Sequence, residues 1–136
     1  MKSALHTTHY RAGFTLVEIM IGVAIIALLA ALALPAFQRA RKRSIAGRTL
    51  EELRVLDYAI GQYAIESGQQ AGDIVTFDNV RLYLKPSTPL YLTGKDYLGN
   101  DYGPNFTVDL PPKVPAASFA DLQEVAPVDF WRPYNQ

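Results

Sequence analysis

The stretch that decides the fold runs from Gly13 to Phe37 and reads Gly-Phe-Thr-Leu-Val-Glu-Ile-Met-Ile-Gly-Val-Ala-Ile-Ile-Ala-Leu-Leu-Ala-Ala-Leu-Ala-Leu-Pro-Ala-Phe. Between Phe14 and Leu34, the only ionisable side chain is that of Glu18. A helix of about 20 apolar residues, rising about 1.5 Å per residue, covers a hydrocarbon core about 30 Å thick. The stretch therefore predicts a helix that can span a membrane.

Glu18 is the residue of this span that needs an explanation. A carboxylate inside a span costs several kcal/mol, roughly 2.5 to 3.5 at the helix centre, so it requires a positive partner and marks a functional position. A secretory signal peptide does not fit the stretch. Its apolar run has about 7 to 15 residues and precedes the small residue at the cleavage site. Here the run is longer, and Gly13 comes before it.

The residues at the start of the span resemble one family, the type IV pilins together with the pseudopilins of type II secretion. The processing motif of that family, Gly-Phe-Thr-Leu-x-Glu before an apolar helix, is matched from Gly13 to Glu18. Pro35 corresponds to the helix proline of many members. Ala12 differs, because many relatives carry Lys or Arg there. The resemblance is close over residues 11–40 and weak beyond them.

The resemblance implies how the N-terminus is processed and used. A membrane-embedded prepilin peptidase would cut after Gly13 and methylate the new amino group of Phe14. Glu18 would then be stabilised by the N-terminal ammonium of Phe14 on an adjacent subunit. The further partners implied are copies of the chain itself, related minor subunits, an inner-membrane assembly platform and membrane lipid.

The resemblance also implies a division of the chain and its orientation. Residues 1–13 would be a leader peptide, 14–37 a transmembrane helix and 38–136 a soluble pilin-like domain. The resemblance places that domain in the periplasm, after a single pass through the bacterial inner membrane. The positive-inside rule alone predicts the opposite orientation, because more basic residues follow the span than precede it. Those that follow it closely are Arg39, Arg41, Lys42 and Arg43.

After Pro35 the apolar pattern changes from a continuous run to a stripe. Its residues recur at steps of three and four: Leu50, Leu53, Leu56, Ile60, Tyr63 and Ala64. This spacing predicts an amphipathic helix that ends near Ser67, because Gly68 supplies a stop signal. We therefore expect one long helix from Phe14 to about Ser67, kinked at Pro35. Its stripe is expected to pack against the domain of the same chain.

The remainder of the chain predicts a small antiparallel sheet with one or two short helices. Two strands are expected at 89–93 and 105–108, separated by a tight turn at Gly99 and Asn100. The predicted fold class is therefore α+β, with the long helix packed on the sheet.

Two short helices are expected beside that sheet. Thr76 is a good N-cap for a helix that ends near Leu84, before Pro86. A second short helix is expected from Ser118 to about Val125, capped by Ser118.

The formal net charge of zero hides an asymmetry. Residues 39–54 carry six basic side chains against Glu51 and Glu52, whereas residues 57–136 carry five basic and ten acidic ones. A basic stretch beside a bilayer usually holds anionic lipid headgroups, at about 1 kcal/mol per residue. The alternatives are pairing with the acidic domain of another subunit and, least favoured, nucleic-acid binding.

The stretch at residues 96–102 resembles an Asp-Pro-Trp-Gly-Asn-Pro-Tyr loop of the major pseudopilins, without its Pro and Trp residues. Those proteins bind calcium in a C-terminal loop. The resemblance therefore makes Asp96, Asp101 and Asp109 candidate calcium ligands, since calcium prefers oxygen donors. Their spacing matches no defined calcium loop. The alternative is a solvated acidic loop that only forms a turn.

The chain has no cysteine, which excludes disulfides, thiolate metal sites and cysteine nucleophiles. Many pilins close their C-terminal region with a disulfide, so the resemblance favours a pseudopilin. The predicted function is a structural filament subunit that acts in type II protein secretion, and not an enzyme. The alternatives are a type IV pilin, major or minor, for adhesion, motility or DNA uptake, or a membrane-anchored binding domain. An enzyme is least supported, because residues 14–136 contain no histidine and no phosphate loop.

Overall fold

The computed structural model describes residues 13–135. In chain order its elements are α1 (Leu16–Ser67), β1 (Ile74–Thr76), α2 (Phe77–Arg81), α3 (Pro89–Thr93), β2 (Asn105–Thr107), α4 (Ala116–Leu122) and a 3-10 helix (Val128–Trp131). The chain divides into two compact units, the first ending at Phe37 and the second beginning at Gln38. The predicted leader, residues 1–13, lies outside the described residues except for Gly13.

The first unit contains the apolar part of α1. From Phe14 to Phe37, every large apolar side chain is at least 54% exposed. The helix is long and apolar enough to cross a membrane. It also continues through Pro35, as predicted. A kink at Pro35 stays a prediction.

The second unit is built on one face of the later part of α1. Leu53 and Leu56 are fully buried, and Ile60 is nearly so, as the spacing of the stripe predicts. They share a hydrophobic core with side chains from the sheet, the short helices and the C-terminal segment: Val75, Val80, Leu90, Phe106, Leu122 and Trp131. The long helix therefore supplies the wall against which the short elements pack.

The sheet has two antiparallel strands, β1 and β2. Val75 pairs with Phe106 in the register, and both of these central residues are buried. The prediction of a strand at 105–108 is confirmed. Its partner, however, is β1, which the sequence analysis missed because three residues are too few to show an alternating pattern.

The predicted strand at 89–93 is wrong, because these residues form helix α3. Local chemistry at both ends explains the difference. The Thr88 side chain accepts a hydrogen bond from the Tyr91 amide at 3.2 Å, and Pro89 occupies the first turn, where its missing N–H costs nothing. Gly94 ends the helix at φ 66°, and its amide donates to the Leu90 carbonyl at 2.9 Å.

The other two short helices agree with the prediction in part. Thr76 caps α2 through a reciprocal capping box with Asn79, but α2 ends at Arg81, before the predicted Leu84. Helix α4 runs from Ala116 to Leu122, and Ser118 is not its cap. The side chain of Ser118 is fully buried inside the helix, where it bonds another part of the chain.

Replacing Leu56 by Ala tests the stripe. The change removes a fully buried side chain and leaves a cavity, so it should lower the free energy of unfolding by about 2 to 5 kcal/mol. Chemical denaturation of the full chain in detergent measures the effect. Tyr58→Ala, on the exposed side of the same helix, is the matched control and should change the stability little. Equal stability of the Leu56 variant and the parent would contradict the packing.

Candidate functional site

The first candidate site is the beginning of α1, where Thr15 and Glu18 bond each other in both directions. The Glu18 amide donates to Thr15 Oγ1 at 3.2 Å. In return, Glu18 Oε2 accepts hydrogen bonds from the Thr15 amide and from its hydroxyl, each at 2.8 Å. This reciprocal pattern is a capping box, which satisfies backbone donors that the first helical turn leaves free. Glu18 therefore has a structural role within its own chain.

Sequence analysis missed this role, although the signal was present. The order Thr15-Leu-Val-Glu18 before an apolar run is the capping-box pattern. A negative side chain in the first turn is also favourable for the helix dipole. Within residues 13–135, Glu18 forms no ion pair, so its carboxylate remains available to a cation from outside the chain.

Gly13 and Phe14 come directly before this cap. A Cβ atom built on Gly13 would meet nothing within 4 Å, so packing inside the chain does not require a glycine at this position. The Phe14 side chain is exposed as well. The packing of the described chain therefore gives no reason for a glycine at position 13 or a phenylalanine at position 14.

The second candidate site is the loop that begins at Asp96. The Asp96 carboxylate is buried and accepts hydrogen bonds from the amides of Leu98 and Asn100, each at 2.9 Å. It also accepts a hydrogen bond from the Ser118 hydroxyl. The Asn100 side-chain amide donates to the same hydroxyl at 2.8 Å. Asp96 thus stabilises the conformation of its own loop and links the loop to α4 through hydrogen bonds.

Tyr102 links the other end of this loop to α1 through a hydrogen bond. Its hydroxyl donates to Glu52 Oε2 at 2.8 Å. Burial raises the pKa of the Glu52 carboxyl, the nearby Asp96 charge raises it further, and the hydrogen bond from Tyr102 opposes both effects. Burial also raises the pKa of the Tyr102 hydroxyl, which keeps it protonated as a donor.

The three candidate calcium ligands do not form one cluster. Asp101 is exposed and lies 4.0 Å from the ammonium of Lys95, while Asp109 is exposed in a loop after β2. Within residues 13–135, no group of three or more acidic or histidine side chains lies where it could hold a metal ion. The geometry of Asp96 is that of a turn, because Gly99, at φ 85°, donates its amide to the Asp96 carbonyl at 3.0 Å.

Three of the six basic residues that follow the span pair with an acid of their own chain: Arg54 pairs with Glu51, and Arg39 and Lys42 pair with Glu124. Arg39 Nε lies 3.1 Å from Glu124 Oε1, and Lys42 Nζ lies 3.8 Å from Glu124 Oε2. All three side chains are largely exposed, so these pairs contribute about 1 kcal/mol or less each. Arg41 and Arg43 form no ion pair within the described chain.

Ser118→Ala tests the attachment of the loop. The variant removes a donor from a buried carboxylate, so we expect it to cost about 1.5 to 3 kcal/mol of unfolding free energy. Chemical denaturation of the full chain measures the loss. Ser67→Ala, at an exposed helix end, is the control and should have little effect. A Ser118 variant as stable as the control would show that the contact is not needed.

Calcium binding is tested on the same protein by thermal unfolding. A ligand that binds the folded state alone raises the melting temperature as its concentration rises. The calcium hypothesis therefore requires a higher melting temperature with calcium than with a chelator. Identical curves would contradict it, and Asp109→Asn should abolish any rise that is seen.

Comparison with known proteins finds a family model and a curated relative, each of which matches part of the chain. Residues 8–34 match the family model described as the prokaryotic N-terminal methylation motif. A type IV major fimbrial protein of Dichelobacter nodosus is 43% identical to this chain over 61 residues, which are 45% of this chain and 38% of that protein. The chain thus spans well under half the length of this curated relative. No solved structure matches the chain significantly. Residues 8–34 are thus similar to a prokaryotic N-terminal methylation segment, and part of the chain is similar to a type IV fimbrial protein.

Proposed function

We propose that this chain is a structural subunit of a type IV pilus-like filament. The observation that carries the proposal is its N-terminal segment, in which the methylation motif leads into a helix that is apolar and long enough to span a membrane. Apolar side chains exposed over that length need either lipid or other apolar helices around them. A filament subunit would have lipid around this helix before assembly, and the apolar helices of its copies around it afterwards.

Within this family, the similarity to a fimbrial protein favours a type IV pilin. The sequence analysis preferred a pseudopilin of type II secretion, because the chain lacks the cysteines of many pilins. The likeness to a fimbrial protein outweighs the absence of a disulfide, so we propose a pilin that serves adhesion, motility or DNA uptake. A pseudopilin is the second candidate, and the likeness of residues 96–102 to a pseudopilin loop supports it.

The proposed pathway begins with cleavage after Gly13 and methylation of Phe14 by a prepilin peptidase. Gly13 supports this step because the fold gives no reason for a glycine there. Residues 14–37 then anchor the subunit in the bacterial inner membrane, with the domain from residue 38 onward in the periplasm. The inner-membrane assembly platform and minor subunits complete the set of partners.

Assembly depends in this proposal on Glu18 and the methylated amino group of Phe14 in a neighbouring copy. The capping box holds the Glu18 carboxylate at the first turn of α1 through one of its two oxygens. The other oxygen can accept a hydrogen bond from an ammonium group. A charge pair offsets the cost of keeping each charge in an apolar environment, and either charge alone would be strongly destabilising there.

Processing is tested by mass spectrometry of the membrane-bound protein. We expect the mature chain to begin at N-methylated Phe14, and Gly13→Val to leave the leader attached. Gly22→Ala is the matched control, because Gly22 also has open space around it and lies beyond the motif cut by the peptidase. A mature protein that begins at another residue would contradict the proposed cleavage.

The role of Glu18 is tested by separating its charge from its cap. Glu18→Gln keeps a capping box, since Gln can replace Glu in this motif, but removes the charge. Thr15→Ala removes the cap, at about 1 kcal/mol, and keeps the charge. In a host with a pilus assembly system, we expect filaments to disappear with Glu18→Gln and to persist with Thr15→Ala. Electron microscopy counts the filaments, and membrane fractionation confirms that both variants are inserted.

If Glu18→Gln subunits expressed alone form as many filaments as the parent, the ion-pair mechanism is wrong. If the parent itself forms no filament, the proposed function is wrong.

A further inference from the structure

An open cleft of about 630 Å³ runs along α1 in the second unit. One wall is the face of α1 at residues 44–55, and the other is formed by residues 84–90 together with Tyr97. Pockets of this size hold several side chains or a small ligand. Its lining is mainly apolar, and Leu90 contributes a core side chain to it.

Gly47 lies in the α1 wall of this cleft. A glycine inside a helix costs about 1 kcal/mol relative to alanine. A Cβ atom at Gly47 would meet nothing within 4 Å, so the chain's own packing does not require this glycine. The missing side chain leaves room for the backbone of a partner to approach the helix closely.

The edge of the cleft carries two basic residues, Arg48 and Lys85. The guanidinium carbon of Arg48 lies 5.3 Å from the centre of the Tyr97 ring, which holds the cation at the opening. Neither residue forms an ion pair with any residue in the described range 13–135.

The acids of the cleft, in contrast, have partners within the chain. Glu51 forms an ion pair with Arg54 at 2.5 Å. Glu52 accepts the hydrogen bond from Tyr102 at 2.8 Å. The unpaired charge at the cleft is therefore positive, and an acidic, partly apolar surface is its complement.

Such a surface occurs at one end of the sheet, where Asp73 and Ile74 stand at the start of β1 while Asp109 and Leu110 follow β2, its antiparallel partner. We call these four residues the sheet-end knob. Ile74 is the register partner of Thr107, whose carbonyl accepts the Leu110 amide at 3.1 Å. Ile74 is 71% exposed and Leu110 is 60% exposed, so the knob presents two large apolar side chains to solvent.

The two carboxylates of the knob form no ion pair with any residue from 13 to 135. The Asp73 carboxylate accepts a hydrogen bond from the Gln70 amide at 2.7 Å, and the Asp73 carbonyl accepts one from the Val108 amide at 2.9 Å. Asp109 has a φ of 64°, in the left-handed region that aspartate enters more readily than most residues other than glycine and asparagine.

We propose that the sheet-end knob of one copy of this chain docks into the cleft of a second copy. Ile74 and Leu110 enter the apolar cleft, and the knob carboxylates face Arg48 and Lys85. The proposal rests on the filament function proposed above and names the surfaces that would join the domains. Because knob and cleft are different surfaces, the contact is heterologous and can repeat without closing, which generates a helical filament.

The positions of the two surfaces along α1 fit a head-to-tail contact. The α1 wall of the cleft ends at Val55, whereas the knob follows the end of the helix at Ser67. At 1.5 Å per residue, about 18 Å of helix separates these two positions. Copies joined by this contact would therefore each be displaced in the same direction along the helix axis relative to the previous copy.

Disulfide crosslinking of the full chain tests the contact, since the parent has no cysteine. The test variant is Val55→Cys with Leu110→Cys, one change in the cleft and one in the knob. A disulfide needs Cα atoms about 4.4 to 6.8 Å apart. We expect mild oxidation of its filaments to produce a ladder of covalent oligomers on non-reducing gels. The matched control, Val128→Cys with Leu110→Cys, replaces an exposed residue outside the cleft and should give no ladder.

The outcomes separate this inference from the proposed function. Filaments that form normally without a ladder from the Val55 pair would overturn the docking and leave the filament function intact, with the cleft then serving lipid or another protein. A ladder of equal strength from the control pair would also overturn it. The absence of filaments and oligomers from the cysteine-free parent would overturn both proposals.

Charge reversal tests the electrostatic part. Lys85→Glu places a negative charge opposite the knob, so we expect it to abolish most filaments. Lys113→Glu makes the same change at an exposed residue outside the cleft and should leave filament numbers near those of the parent. Equal filament numbers from the two variants would contradict the pairing.

Discussion

Burial of one face of α1 is the interaction on which the second unit depends. The elements that follow the helix are short, since both strands have three residues and α2 and α3 have five each. Helices and hairpins of that size are not stable alone in water. They persist because they cover Leu53, Leu56 and Ile60, at roughly 25 cal/mol for each Å² of apolar surface removed from water. Caps and turns then decide where each short element begins and ends.

The sequence predicts the long elements better than the short ones for a physical reason. Helix α1 carries two patterns that extend over many residues, a continuous apolar run and a stripe that ends before Gly68, and both predictions are confirmed. The segment at 89–93 is apolar and only five residues long, so its periodicity cannot distinguish a strand from a helix. There the decisive residues are Thr88 and Gly94, whose capping roles become clear only when the backbone is known.

The residues of the candidate sites also differ in how far they could be predicted from the sequence. Gly13, Phe14 and Glu18 could be singled out from the sequence because they lie in one short, local motif, and the methylation-motif match covers them. The contacts of Asp96 are not local, since Ser118 lies 22 positions further along the chain. Contacts at such a separation depend on the fold, so this attachment could not be found from the sequence alone. The preference for a pseudopilin rested on an absent disulfide, and the comparison with a fimbrial protein favours a pilin instead.

The capping box at the start of α1 would have a further consequence in the proposed filament, for the entropy lost when each subunit is added. Thr15 and Glu18 satisfy each other without a neighbour, so the first helical turn is ordered in the isolated chain. Fixing the backbone of a residue costs about 1 to 2 kcal/mol in conformational entropy. If the chain assembles as proposed, each added subunit would bring a first turn that is already ordered. Less conformational entropy would then be lost at each addition, which would favour fast growth.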